Sequence, residues 1–296
     1  MTVLARIVEE TRSEIQWRKR KLPLTALEAK LATGHSPEGH DESPAAHPGI
    51  RPQPGAFQRA LAQPGIGVIA EFKRRSPSAG SLHDDPDLAR IVDAYERGGA
   101  SALSVLTEGP NFGGTLDDLR AARAACALPI LRKDFIVDPY QLYEALDAGA
   151  DAVLLIVAAL TQQELASLHE QAHALGLDVL VEVHDGEELK RAASVGARLI
   201  GVNNRDLRDF SVDVQRTSRL LGEMPEDASV ISESGIAGAE QLRALEGQGV
   251  AAVLVGEALM RAEDPARALA ELLSGSSAPS SAGAPGPSPA PSSNLL

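Results

Sequence analysis

Eight short aliphatic runs recur between residues 65 and 273, and they restrict the possible folds more than any other feature. They are Gly67–Glu71, Ala102–Leu106, Ile130–Lys133, Ala152–Ile156, Val179–Val183, Leu199–Asn203, Val230–Glu233 and Ala252–Val255. Stretches rich in Ala, Leu, Glu and Arg separate most of them. Strands that alternate with helices run parallel, because each helix carries the chain back to the starting end of the sheet. The runs are near-continuously apolar, as expected of strands covered on both faces. Eight such units predict an α/β fold of the closed (β/α)8 or TIM barrel type. The alternative is an open doubly wound sheet, which would show a glycine-rich dinucleotide fingerprint after its first strand. Lys73-Arg74-Arg75-Ser76-Pro77-Ser78 stands there instead.

The two ends differ from this middle. Val3, Leu4, Ile7, Val8 and Ile15 are spaced for one apolar helix face. Thr25 is placed to cap a second short helix ending near Ala32. Extra N-terminal helices therefore precede the barrel. Residues 33–55 are rich in Gly, Pro and His, and His35, His40 and His47 are irregularly spaced with no cysteine nearby. They read as a linker rather than a metal site. Gly275–Leu296 carries no charge, and five of its 22 residues are proline. Such a segment cannot offset its ordering entropy, so disorder is expected. The expected organisation is N-terminal helices plus linker over 1–55, a barrel over 56–273, and a tail over 274–296.

Charge and cysteine content narrow the function. The net charge of −13 argues against nucleic-acid binding, which needs clustered Lys and Arg. A small anionic substrate stays compatible, because one cleft can focus positive potential in a negative protein. Cys126 is the only cysteine, which excludes a disulfide framework. The longest apolar run, Ala152–Leu160, is too short to cross a bilayer, and Met1–Glu10 lacks the apolar core of a secretory signal. The cytoplasm is the expected compartment.

A barrel of this kind carries its active site where the strands end. Glu71, Lys73, Lys133, Glu182 and Asn203 stand at strand ends and would converge on one mouth. Any one of them alone could be merely solvated. Together, charges in such a place are costly unless paired, and they suggest a proton-transfer constellation. Ser234-Gly235 and Gly256-Glu257 fall at strand-to-helix turns. Glycine lets the backbone approach an anion, and N–H groups at helix starts bind it. Residues 257–261 would form a short extra helix, with the Glu257 N–H toward a phosphate and its carboxylate turned away. The competing reading is that these glycines only permit tight turns.

These residues carry a family resemblance. Val68-Ile69-Ala70-Glu71-Phe72-Lys73-Arg74-Arg75-Ser76-Pro77-Ser78-Ala79-Gly80 resembles the signature of the indole-3-glycerol phosphate synthases, enzymes of tryptophan biosynthesis. Leu131-Arg132-Lys133-Asp134-Phe135, Leu180-Val181-Glu182-Val183, Gly201-Val202-Asn203-Asn204-Arg205-Asp206-Leu207, Ser232-Glu233-Ser234-Gly235-Ile236 and Leu254–Arg261 match the family in the same order. The likeness covers roughly residues 1–273.

The resemblance implies conversion of 1-(2-carboxyphenylamino)-1-deoxyribulose 5-phosphate to indole-3-glycerol phosphate, CO2 and water, without metal or organic cofactor. It implies Lys133 as proton donor to the ketose oxygen and Glu182 as proton shuttle in the loss of water. Lys73, paired with Glu71, would hold the substrate's anionic groups, and the division of acid roles between Lys73 and Lys133 stays open. Asn203 would bond a ribulose hydroxyl. Ser76, Arg205, Ser234, Gly235, Gly256 and Glu257 would meet phosphate or ribulose oxygens. Phe112, Leu154 and Leu207 would form the apolar slot for the aromatic ring. Association with other tryptophan enzymes is left open by the sequence.

Two features depart from the family pattern, the long Pro/His-rich insertion over 33–55 and the C-terminal tail. Two rival readings are weaker. A phosphoribosylanthranilate isomerase would need a cysteine base on an early strand, whereas Cys126 lies on the approach to strand three, at the stability face. A non-catalytic barrel that binds a phosphometabolite should have lost Lys133 or Glu182, and both are present.

Overall fold

The computed structural model describes residues 2–33, 53–76, 80–82, 86–206, 211–236 and 238–274. His35, His40, His47, Leu207 and the tail 275–296 lie outside these residues.

Eight strands form the predicted barrel: β1 Gly67–Phe72, β2 Ala102–Leu106, β3 Ile130–Lys133, β4 Ala152–Ile156, β5 Asp178–Val183, β6 Leu199–Asn203, β7 Ser229–Glu233 and β8 Ala252–Val255. Each pairs in parallel with the next, and β8 closes on β1 through Gly67–Ala252 to Ala70–Val255. Three strands are one residue longer than the aliphatic runs, because Phe72, Asp178 and Ser229 extend them. A short antiparallel pair, Arg75–Ser76 with Gly80–Ser81, follows β1.

Twelve α-helices are described. Three precede the barrel: α1 Val3–Lys21, α2 Leu24–Thr33 and α3 Ala56–Leu61. The others are α4 Leu88–Arg97, α5 Leu116–Ala125, α6 Tyr140–Ala148, α7 Gln162–Ala174, α8 Gly186–Ser194, α9 Arg216–Leu220, α10 Ala239–Glu246, α11 Glu257–Met260 and α12 Pro265–Ser274. Their starts are chemically marked. Thr115 with Asp118 and Thr161 with Glu164 form reciprocal capping boxes on α5 and α7. One capping expectation is corrected. α2 starts before Thr25, and the Pro23 carbonyl accepts the N–H groups of Ala26 and Leu27. Proline lacks an N–H of its own and has a preset φ, so the helix starts from it rather than from the threonine.

The barrel interior is built in layers contributed by alternate strands. Ala102, Ala152, Leu199 and Ala252 come from the even strands, and Ile69, Leu131, Leu180 and Ile231 from the odd ones. Two residues further along, the odd strands present Glu71, Lys133, Glu182 and Glu233. Side chains two apart on a strand share a face, so an apolar layer directly supports a charged one.

Both ends of this interior are covered. At the bottom, α3 inserts Phe57 and Leu61, each essentially fully buried. The aliphatic runs gave no sign of this helix. Its own N-terminal residue is Gly55, which has no capping side chain. Asp178, at the start of β5, supplies the cap by accepting from the Gly55 and Gln58 N–H groups at 3.0 Å each. At the top, Ile7 of α1 joins the interior cluster with Val3 and Leu4, beside Phe112, Phe135 and Ile156. Arg12–Glu164 (2.8 Å), Arg18–Glu144 (3.3 Å) and Lys19–Asp138 (2.7 Å) tie α1 to the barrel wall.

Candidate active site

A cavity of about 410 Å³ opens at the C-terminal mouth of the barrel. Its lining includes Glu71, Lys73, Ser76, Phe112, Lys133, Leu154, Glu182, Asn203, Arg205, Ser234, Gly235, Gly256 and Glu257. Every candidate residue read from the sequence is therefore brought to one place, except Leu207, which lies outside the described residues.

The floor is an alternating set of charges. Lys73 Nζ lies 2.6 Å from Glu71 Oε1, and Lys133 Nζ lies 3.6 Å from Glu71 Oε2. Lys133 Nζ is also 3.3 Å from Oε2 of Glu233. Burial pushes the Glu71 carboxyl up, but Lys73 and Lys133 outweigh it and hold the group below its usual range. Burial disfavours the charged Lys133, yet the carboxylates of Glu233, Glu71 and Glu182 prevail and raise it above its ordinary value. Glu233 behaves oppositely. Burial pushes it up to about 8, and Lys133 only partly offsets that while Glu182 and Glu71 add repulsion.

Glu233 is a residue of this cluster that the sequence reading did not select, although it recognised the strand end that carries it. The alternate-strand rule was the available signal: Glu71, Lys133 and Glu182 already occupied three odd strands, which left the equivalent position on β7. Two glycines make room for the layer. A Cβ at Gly201 would come within 2.1 Å of Glu233 Oε1, and one at Gly256 within 2.6 Å of Glu71 Oε1. Gly256 therefore has a role that neither tight turning nor anion approach predicted. Its φ is −125°, which any residue can adopt.

On one side of this floor lies an apolar slot. Phe112 and Phe135 pack with ring centroids 6.4 Å apart, and Leu154 and Ile156 also line the cavity. The loop bearing Phe112 is held by Glu108, whose Oε2 accepts the Asn111 and Phe112 N–H groups at 2.8 and 2.9 Å. Phe135 was absent from the expected slot.

On the other side is a polar rim. Ser234 adopts φ +66°, the only positive φ among described non-glycine residues, and Gly235 follows at +80°. The Ser234 hydroxyl donates to Asn203 Oδ1 at 2.9 Å, and that oxygen also accepts the Arg205 N–H at 3.0 Å. Asn204 Nδ2 donates to the Ser234 carbonyl at 3.0 Å. These bonds hold a strained turn in place, as is common where backbone N–H groups serve a site. The Glu257 carboxylate is turned along its helix to Arg261, 3.3 Å away.

Cys126 ends α5, half-buried, outside the cavity lining. Burial raises its thiol, which suits a packing residue rather than a base. Among the described residues, no group of three or more His, Cys, Asp or Glu could hold a metal ion. No described helix is long and apolar enough to cross a membrane.

Comparison with known proteins gives the family. Residues 4–272 match the family model described as indole-3-glycerol phosphate synthase. An indole-3-glycerol phosphate synthase from Mycobacterium ulcerans is 46% identical over 279 residues, covering 94% of this chain and 96% of that protein. Indole-3-glycerol phosphate synthase 2 from Streptomyces coelicolor is 56% identical over 209 residues, 71% of this chain and 81% of that protein. Among solved structures, a thiamine phosphate pyrophosphorylase from Pyrococcus furiosus aligns with a TM-score of 0.54 at 20% identity, over 71% of this chain and 95% of that one. At that identity the likeness bears on the fold alone. With nearly its full length matched, the chain belongs to the indole-3-glycerol phosphate synthase family.

Proposed function

We propose that the cavity closes the indole ring of 1-(2-carboxyphenylamino)-1-deoxyribulose 5-phosphate, yielding indole-3-glycerol phosphate, CO2 and water. One observation carries this reading: Lys133, set beside Glu71 and Glu233, faces a cavity that is apolar on one side and polar on the other.

The aromatic ring sits in the slot of Phe112 and Leu154, with Leu207 expected to complete it. Ser234, Gly235, Gly256, Glu257, Arg205 and Ser76 meet the phosphate and nearby oxygens at the rim, Glu257 through its backbone. Lys73, paired with Glu71, holds the substrate's anionic groups. The ring carbon that bears the carboxylate bonds to the ketose carbon, and the carbonyl oxygen takes a proton from Lys133. The carboxylate leaves as CO2, and its bonding pair restores aromaticity. Glu182 then moves a proton as the new hydroxyl leaves as water and the neighbouring carbon gives up hydrogen to form the indole double bond. Asn203 holds a ribulose hydroxyl. A partly buried, preorganised ammonium next to the developing oxyanion is the kind of electrostatic arrangement that contributes most to such a step.

The catalytic unit in this reading is 56–273, with 1–55 as cover and linker. It works on a small anionic molecule in the cytoplasm, and the net charge of −13 supports a partner other than nucleic acid. Incubation with the substrate should produce indole absorbance and fluorescence. Lys133→Met and Glu182→Gln should each lower kcat by about 10²–10⁴ with melting curves retained, the range for a lost general acid or base. Near-normal turnover in either variant removes that residue from the mechanism.

A further inference from the structure

His184 follows the β5 strand end directly and belongs to none of the roles above. Its Nδ1 lies 3.0 Å from Oε2 of Glu188, one helical turn on, and the same oxygen accepts the His184 backbone N–H at 2.7 Å. A carboxylate has only lone pairs to offer, so Nδ1 must be the donor. The other ring nitrogen, Nε2, lies 3.4 Å from Oε1 of Glu182. Both atoms are shut off from solvent, and neither has a hydrogen-bond partner. If the ring were neutral, with its one proton on Nδ1, two lone pairs would face each other in a dry place. A proton between Nε2 and Oε1 removes that conflict.

We propose that His184 is a positioning residue for Glu182: pinned at Nδ1 by Glu188, it holds a proton at Nε2 against Oε1 and leaves the second carboxylate oxygen for the substrate. The inference rests on the role proposed above for Glu182.

The surroundings favour the charged ring. Burial pushes the imidazole down, but the Glu188 hydrogen bond and the charges of Glu182 on β5 and Glu188 on α8 outweigh it. Arg216 on α9 opposes them and is itself bound to the Asn203 carbonyl at 2.7 Å, with Asp206 3.7 Å away. The balance raises His184 above its ordinary value, which favours the imidazolium over the neutral ring.

Nitrogen-15 NMR of the ring in histidine-labelled protein tests this directly, with the signal assigned by its loss in His184→Gln. Both ring nitrogens should be protonated at neutral pH. In Glu182→Gln the titration midpoint should fall by about one unit or more, because a carboxylate becomes a neutral amide. A wild-type ring that is neutral at neutral pH, or a midpoint unmoved in Glu182→Gln, overturns the proposal. In turnover, His184→Gln should lower kcat by about 10–100-fold, the usual cost of removing a partner that orients an acting side chain. KM should hold, and the alkaline limb of kcat that tracks the NMR midpoint should vanish. A His184→Gln variant with unchanged kcat and an unchanged limb also overturns it. If Glu182→Gln retains turnover while the His184 midpoint falls, the role of Glu182 fails and the shared proton stands. If Glu182→Gln is inactive and the midpoint is unmoved, the reverse holds.

Discussion

At the scale of single residues, the site depends on uneven sharing of protons. Glu71 and Glu233 are both essentially buried and both face Lys133, yet they shift in opposite directions. Glu71 has a second lysine at 2.6 Å, and Glu233 has none at that range. The folded-state value of Glu233, about 8, lies above its ordinary 4.5. Stability from its proton is thus complete below the lower value and is lost as pH rises through the higher one. Across this window, the melting temperature of the wild-type protein should fall relative to that of Glu233→Gln. A constant difference between the two at every pH would contradict the assignment. Residue identity at Glu71, Lys73, Lys133 and Glu182 was legible from strand ends alone. The direction of each shift was not, because it depends on how many partners lie within a few ångströms across the barrel.

At the scale of elements, register and capping decide what the strands deliver. β1 and β8 pair Ala70 with Val255, which sets Gly256 against the Glu71 side chain. Gly256→Ala should displace a carboxylate that holds both lysines. A shift of about 1 Å at such a group can cost about 10²-fold in rate, so kcat should drop by that order. Wild-type kcat in Gly256→Ala would show that Glu71 has room to yield. At the other end of the barrel, Asp178→Ala removes the cap of α3. The expected loss is about 0.5–2 kcal/mol in denaturant unfolding, the usual cost of a missing N-cap. kcat should be unchanged, because this face serves stability. α3 escaped the sequence reading because Ala56–Leu61 is too short for a helical period to show, and its cap comes from a residue more than a hundred positions away. The eight strands were visible because short, mostly aliphatic runs recur between helical stretches.

At the scale of the whole molecule, one apolar barrel carries its charged layer at the mouth, and α1 lies over that end. The family match ends at residue 272 and the last described helix at Ser274. Truncation after Ser274 should therefore leave turnover and melting temperature at wild-type values, and a loss of either would assign the tail a role. The number of strands, their parallel sense, and the gathering of most of the charged side chains at one end of the barrel were legible in the sequence itself. Local patterning suffices for these, since alternation of strand and helix admits few closed arrangements and polar residues inside a barrel gather at one end. Tertiary structure alone decided that Glu233 completes the charged layer, that Gly201 and Gly256 exist to admit carboxylates, and that His184 backs Glu182. The Glu233 and glycine contacts join different strands and are set by barrel closure and register, and the His184 contact is set by how the chain turns after β5; no local pattern encodes these spacings.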